Sequence, residues 1–304
     1  MKTVNSSTSI SSLFDRPNIT VNTNTSNTTT LTTPIISAVS LNQHFQPDDL
    51  YRVNELINHK LNNKTIVLLV GLPACGKSTI SKQLANYLQS NNYNSKIYNA
   101  GNIRRNQKHN NFTNSDFFNP NNEEAKNERE NFATITMNNL LNDLQENKIN
   151  VGFLDATNTT IERRSRMINL IKESGISANI IVFDIQCNDD RLINFNISGK
   201  AFNPDYVGKD YSSSINDFKQ RTKHYFKVYE PISSSELSKY SLICCYFKLV
   251  NGGKSHQIVY PNTKGLEINH FSNDITTLIG SFVSNYSLLH GDRYFEAVNA
   301  FYEK

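Results

Sequence analysis

Cysteine is scarce in this chain of 304 residues, and the four that occur are poorly placed for cross-linking or metal binding. Cys75, Cys187 and the adjacent Cys244 and Cys245 form no CxxC pair and no Cys/His ligand spacing. A zinc site and a disulfide framework are therefore not expected; reduced thiols in a cytoplasmic protein are. Long hydrophobic runs are missing as well, since none approaches the ~20 residues that span a bilayer. The N-terminus, MKTVNSSTSISSLF, lacks the apolar core of a secretory signal. Asn-x-Ser/Thr triplets such as Asn27-Thr28-Thr29 then read as by-products of an Asn- and Thr-rich composition, not as glycan acceptors. Charge of one sign is also lacking. Lys and Arg (31) nearly balance Asp and Glu (27), and the basic residues are scattered, which argues against a general nucleic-acid binder. Neither a membrane nor a nucleic acid is an expected partner, and no oligomeric state can be read.

What is present is enough apolar material for a core, 38% of residues, unevenly spread along the chain. Residues 1–46 are rich in Ser, Thr and Asn and cannot bury enough apolar surface to offset their ordering entropy, so a disordered tail is expected there. Residues 47–304 form one domain, as no internal repeat or second core is visible. Asp48–Leu61 carries apolar residues at helical spacing. Thr65–Val70 is a continuous run of β-branched residues and leucine, suited to a strand buried on both faces. Shorter strand-like runs follow at Lys96–Asn99, Val151–Leu154, Ile180–Ile185 and Leu242–Val250. Helical patterns cover Thr79–Leu88, Glu123–Glu146, Thr160–Glu173 and Asp274 to about Tyr286. Strands alternating with helices predict an α/β fold: a P-loop NTPase-type three-layer arrangement around a mainly parallel sheet.

The chemistry begins at Gly71-Leu72-Pro73-Ala74-Cys75-Gly76-Lys77-Ser78, a full match to G-x-x-x-x-G-K-[ST]. Its glycines let the backbone turn tightly and point N–H groups at phosphate oxygens, and the helix that follows from Thr79 aims its positive end at the same place. Lys77 reaches the terminal phosphates, and the Ser78 hydroxyl can ligate Mg²⁺. With a hydrophobic strand before it and an amphipathic helix after it, the motif has the context it needs for ATP.

Phosphoryl transfer also requires an acidic group at a neighbouring strand end. Val151-Gly152-Phe153-Leu154-Asp155 supplies Asp155, whose role as base or as organiser of the metal stays open. Two basic clusters, Arg104-Arg105 and Arg163-Arg164-Ser165-Arg166, each follow a strand. Ligands of open α/β sheets bind outside the carboxyl ends of strands, so paired arginines there point to an anionic acceptor.

From about Thr65 to about Pro231, and more weakly to about Tyr286, the chain resembles the kinase domain of the 6-phosphofructo-2-kinase/fructose-2,6-bisphosphatase family. The likeness is carried by GLPACGKSTISKQL, Gly101–Arg105 (GNIRR), Phe117-Phe118-Asn119-Pro120-Asn121, and Glu124-Ala125 with Arg129. It continues through Asp155–Thr160 (DATNTT) with Glu162-Arg163-Arg164, Cys187-Asn188-Asp189, Asn203-Pro204-Asp205-Tyr206, Asp217-Phe218 with Arg221 and Tyr225, and Tyr229-Glu230-Pro231. The resemblance implies transfer of the ATP γ-phosphoryl group to the 2-hydroxyl of fructose 6-phosphate, with Mg²⁺. It implies that Gly71–Thr79 and Asn196 serve the nucleotide, and that Lys77, Asp155, Lys200 and Cys187 lie at the reacting centre. Arg104, Arg105, Arg129, Thr157, Arg163, Lys200, Arg221 and Tyr225 would hold the sugar phosphate, and Ser78 and Asp155 the metal.

Several positions depart from the family pattern. Ile103 stands where a tyrosine usually precedes the arginine pair, and Cys75 replaces a commonly basic loop residue. The stretch from Asn196 to Pro204 is one residue short, and that between Arg164 and Cys187 is longer, with the extra length expected in a loop. Leu289-His290-Gly291 lacks the arginine of the Arg-His-Gly that opens the family's phosphatase domain. The expectation is a monofunctional kinase, or a segment of a longer protein. A P-loop kinase for another phosphorylated sugar or a nucleic-acid end, and a catalytically silent nucleotide-binding regulator, are the alternatives.

Overall fold

The computed structural model describes residues 64–106, 114–261 and 274–303. The expected tail over residues 1–46 and the helix expected at Asp48–Leu61 lie outside the described residues. Within them, six strands form one sheet: β1 (Lys64–Val70), β2 (Ser95–Asn99), β3 (Val151–Asp155), β4 (Ala178–Gln186), β5 (Ile243–Val250) and β6 (Ser255–Val259). Their order is β2-β3-β1-β4-β5-β6. The first five are parallel, and β6 pairs antiparallel with β5. This is the α/β, mainly parallel arrangement read from the sequence.

Each parallel crossover needs a helix. The site-bearing ones are α1 (Lys77–Ser90), α2 (Ala100–Asn106), α3 (Glu123–Gln145), α4 (Ile161–Glu173), α5 (Asp190–Lys200) and α6 (Tyr211–Lys227). After α7 (Ser234–Lys239) and the two last strands come α8 (Asp274–Ser284) and α9 (Asp292–Tyr302), joined by a wide turn at Ser287–Gly291. Alternate residues of β1 feed opposite layers. Val67 and Leu69 pack with Ile80, Leu84 and Leu88 of α1 and with Ile279 and Phe282 of α8. Ile66, Leu68 and Val70 pack with Met137, Leu140 and Leu144 of α3 and with Met167, Ile168 and Ile171 of α4. Every side chain of Ile66–Val70 is fully buried, which is why the run shows no polar alternation.

Two features differ from expectation. β6 is absent from the strands read in the sequence, because SHQIV is a half-exposed edge strand with little apolar signal. The helix predicted to run to about Tyr286 ends at Ser284, and α9 follows beyond the wide turn. Among the described residues, no helix is long and apolar enough to cross a membrane.

Candidate active site

The strand order brings the carboxyl ends of β1, β2 and β3 side by side. Asn99 pairs with Asp155 across β2 and β3, and β1 lies between β3 and β4. The loop Gly71–Gly76 leaves the end of β1 at this switch point. Gly71 has φ of 141°, and a Cβ built there would lie 2.2 Å from the Ile185 carbonyl oxygen of β4, so only glycine fits. Gly76, at φ 94°, is the N-cap of α1. Ala74 also takes a positive φ, 64°, a conformation in which successive N–H groups turn to one side. The loop is pinned from outside by Gly71 N–H donating to the Thr157 carbonyl at 3.0 Å. Its preceding strand is pinned by Asn158 Nδ2 donating to the Leu69 carbonyl at 2.7 Å.

Lys77 is buried, and its Nζ donates to the carbonyls of Gly71 (2.8 Å) and Leu72 (2.7 Å), so the ammonium lies across the loop. Burial holds its pKa below the ordinary lysine value. Ser78 Oγ donates to Asp155 Oδ2 at 2.8 Å, and Asn99 Nδ2 donates to the same oxygen at 2.6 Å. Ser78 Oγ and Asp155 form a pair of hard oxygen donors of the kind Mg²⁺ takes. Thr79 closes the loop's last turn, donating from its N–H to the Gly76 carbonyl at 3.0 Å.

On α5, Asn196 and Lys200 are one turn apart and so share a face. Asn196 Nδ2 donates to the Ala74 carbonyl at 2.7 Å. Lys200, depressed in pKa by burial and then by Lys77, lies within electrostatic reach of Lys77, Arg221, Asp155 and Arg105. α5 begins where it does because Asp189 caps it, accepting from the N–H groups of Arg191 and Leu192. The Asp of Cys187-Asn188-Asp189 is thus a helix start. Cys187 packs against the core cluster that holds Cys75. Burial pushes its thiol up to about 11, which leaves it protonated at neutral pH.

A second, basic side of the site is assembled from distant segments around Asp205, whose side chain is 1% exposed. Arg104 Nη2 lies 2.5 Å from Asp205 Oδ2, Arg221 Nη1 3.5 Å and Arg105 Nη1 3.7 Å. The Arg221 guanidinium also stacks on Phe118, 3.8 Å from the ring centroid. Phe117, Phe118, Ala125 and Phe132 form the small apolar cluster beneath, with Ile103 and Tyr225 packed against it. Arg129 donates to the Phe117 carbonyl and lies over the Phe117 ring. Burial lowers the pKa of Arg105, Arg129 and Arg221 below the usual arginine value, although each remains protonated at neutral pH.

The second basic cluster divides. Arg163, on the first turn of α4 below the Thr160 cap, gives Nε to Glu130 Oε2 at 2.6 Å and Nη2 to Glu130 Oε1 and the Arg129 carbonyl. Arg164 turns the other way. It is 1% exposed, grips Glu236 bidentately at 2.6 and 2.8 Å, and donates Nη1 to the Asn158 carbonyl. Arg164 is a buried strut.

Two further acidic residues of the motif series hold the backbone. Asp217 accepts from Ser115 N–H (2.7 Å) and Tyr206 OH (2.8 Å), and Glu230 accepts from Ile161 N–H at 2.8 Å. Three residues of the site carry no role assigned from the sequence: Asn99, Asp205 and Glu130. Asn99 was detectable as a polar residue closing a strand beside Asp155. Asp205 lies in the Asn203–Tyr206 segment that carries the family likeness, without a role of its own, and Glu130 has no local signal.

The fold and loop define a P-loop α/β protein of the kinase type, with an acidic residue ending the strand next to the loop. A sequence profile of the 6-phosphofructo-2-kinase family matches residues 52–266, and the chain belongs to that family. It is 36% identical over 206 residues to 6-phosphofructo-2-kinase 1 of Saccharomyces cerevisiae, covering 67% of this chain and 24% of that protein. It is 37% identical over 202 residues to a probable 6-phosphofructo-2-kinase of Schizosaccharomyces pombe, covering 66% of this chain and 29% of the relative. Against 6-phosphofructo-2-kinase/fructose-2,6-bisphosphatase of Aquarana catesbeiana the identity is 34% over 200 residues, covering 65% of this chain and 41% of the relative. The chain therefore spans about a quarter to two fifths of these relatives' lengths. A solved structure from the PezAT toxin-antitoxin system of Streptococcus pneumoniae superposes with TM-score 0.41 at 12% identity, covering 86% of this chain and 100% of that one, too loosely to add to the argument.

Proposed function

We propose that this chain transfers the γ-phosphoryl group of ATP to the 2-hydroxyl of fructose 6-phosphate, acting in the cytoplasm and using Mg²⁺. The observation that carries this reading is the meeting of two charge systems: Lys77, Ser78 and Asp155 at the loop, and the Arg104–Arg105–Arg221 cluster at the acceptor side, with Lys200 within electrostatic reach of both. Family membership supports the substrates, since the matched relatives are named for this reaction.

The loop N–H groups and Lys77 would bind the β- and γ-phosphates, and Lys200 would meet the transferring group from α5. Ser78 Oγ and Asp155 would hold Mg²⁺, which supplies charge neutralisation on the phosphates when bound. In transfer, a bond forms between the 2-oxygen of the sugar and the γ-phosphorus, and the bond from that phosphorus to the β–γ bridging oxygen breaks, leaving ADP. The hydroxyl proton goes to Asp155, whose Oδ1 is not taken by Ser78 or Asn99. The arginines grip the 6-phosphate through forked N–H pairs, and Thr157 and Tyr225 border the sugar. Cys187 would lie at the edge of the reacting centre, packed beside the loop and donating its thiol to the Asp189 carbonyl.

The test is incubation with Mg-ATP and fructose 6-phosphate, followed by assay of acid-labile fructose 2,6-bisphosphate. Product formation that is lost in Asp155→Asn, by about 10²- to 10⁴-fold for a missing proton acceptor, is expected. Intact ATP binding without product overturns the acceptor assignment.

A further inference from the structure

Asn196 does not stand alone at the loop. Its amide has two N–H donors and one carbonyl acceptor. The Ala74 carbonyl can only accept, so the NH₂ end faces the loop, at 2.7 Å. The Oδ1 end then accepts from the Tyr294 hydroxyl of α9 at 3.1 Å. A chain of two hydrogen bonds therefore runs from α9 through α5 into the middle of the phosphate loop. It ends on Ala74, a residue held at a positive φ of 64°.

Tyr294 is itself held firmly. Its ring meets Phe195 of α5 edge-on, with centroids 5.9 Å apart. It also lies so close to Gly252, at φ 64°, that a Cβ there would come within 2.9 Å of the ring. Elsewhere on α9, Phe301 packs edge-on against Phe195, and Tyr302 OH donates to the Arg191 carbonyl at 3.0 Å. α9 is thus laid along the helix that presents both Asn196 and Lys200, and it lies beyond residues 52–266 matched to the family.

We infer that Tyr294 is a positioning residue for the nucleotide: by donating to Asn196 Oδ1 it fixes that amide so that one N–H braces the Ala74 carbonyl and the other remains available for ATP. The inference rests on the reading of Asn196 as a neighbour of the nucleotide. Without the tyrosine hydroxyl the amide can rotate, the brace on Ala74 loosens, and the loop's N–H groups lose part of their preset aim. The effect falls on nucleotide affinity, because nothing in this series of hydrogen bonds reaches the Asp205 cluster.

The experiment compares the full-length protein with Tyr294→Phe, which keeps the ring packing, and with Tyr302→Phe, which removes a hydroxyl from the same helix without touching Asn196. Dissociation constants for Mg-ATP are measured by calorimetry, KM for fructose 6-phosphate by product assay, and Tm by circular dichroism. Tyr294→Phe is expected to weaken ATP binding about three- to tenfold, the worth of one net hydrogen bond. Its Tm and its KM for fructose 6-phosphate stay near wild type, and Tyr302→Phe binds ATP normally. The double variant Tyr294→Phe/Asn196→Ala should be no weaker than Asn196→Ala, since both act on one chain of bonds. ATP binding within about twofold of wild type in Tyr294→Phe, or additive losses in the double variant, overturns the inference. A wild-type protein that binds no ATP overturns the proposed function with it; ATP binding without sugar phosphorylation overturns only the acceptor.

Discussion

The two ends of the proposed active site are built by different means. The nucleotide end is nearly continuous in sequence: Gly71–Ser78 supply a loop, a lysine and a hydroxyl, and one strand end adds Asp155. Its partners are largely backbone atoms, as when Lys77 lies on the Gly71 and Leu72 carbonyls. The acceptor end is a convergence of side chains from α2, α6 and the turn at Pro204–Tyr206, with Asp205 as the shared partner. A loop of consecutive residues inherits its shape from local dihedrals. A cluster such as Arg104 with Asp205, 101 positions apart, exists only when the tertiary fold is complete. Losses at the acceptor end should therefore leave the nucleotide end nearly intact.

Three substitutions test that contrast. The largest effect is expected from Arg164→Ala. It leaves Glu236 buried without its cation and cuts the bond to the Asn158 carbonyl, costing about 3–5 kcal/mol of stability in denaturant unfolding. Below its melting point, the variant's KM for fructose 6-phosphate should stay near wild type. A large KM change would show that Arg164 serves the acceptor after all. Next is Lys77→Met, which should lower kcat about 10²- to 10³-fold, as for removal of one preorganised donor to developing charge. Fructose 6-phosphate binding, measured by calorimetry, should not change; if it does, the two ends are coupled more tightly than their geometry indicates. The smallest effect is expected from Asp205→Asn. Three guanidinium groups would lose the anion that gathers them and spread apart, raising KM for fructose 6-phosphate about tenfold, the scale of one charge-assisted hydrogen bond. ATP affinity within about twofold of wild type would sharpen the contrast, and an equal loss would break it.

The same contrast explains how much of the molecule is legible in its sequence. Thr65–Val70, the loop and Asp155 can be read because strand, turn and helix start follow one another, each with its own local signal. The arginine pairs are visible as pairs, but not their division of labour. Nothing adjacent to Arg164 says that it faces Glu236, 72 positions away, while Arg163 faces Glu130. The DATNTT segment marks the site, yet part of it is scaffolding: Asn158 holds Leu69 and Thr160 caps α4. The inferred role of α9 has no local sign, because its bond to Asn196 spans 98 positions. β6 is hidden by its own exposure at the sheet edge.

The Asp205 cluster has a consequence for what the site refuses. Three guanidinium charges set against one carboxylate leave a surplus of positive charge in a largely dehydrated corner. A phosphomonoester carries about −1.5 to −2 at neutral pH, so it cancels nearly all of that surplus. A free hexose brings no charge, and it would leave the surplus dehydrated and unmatched, a state more costly than open water. On the proposed function, discrimination between sugar and sugar phosphate would come less from attraction to the right molecule than from an electrical imbalance imposed on the wrong one.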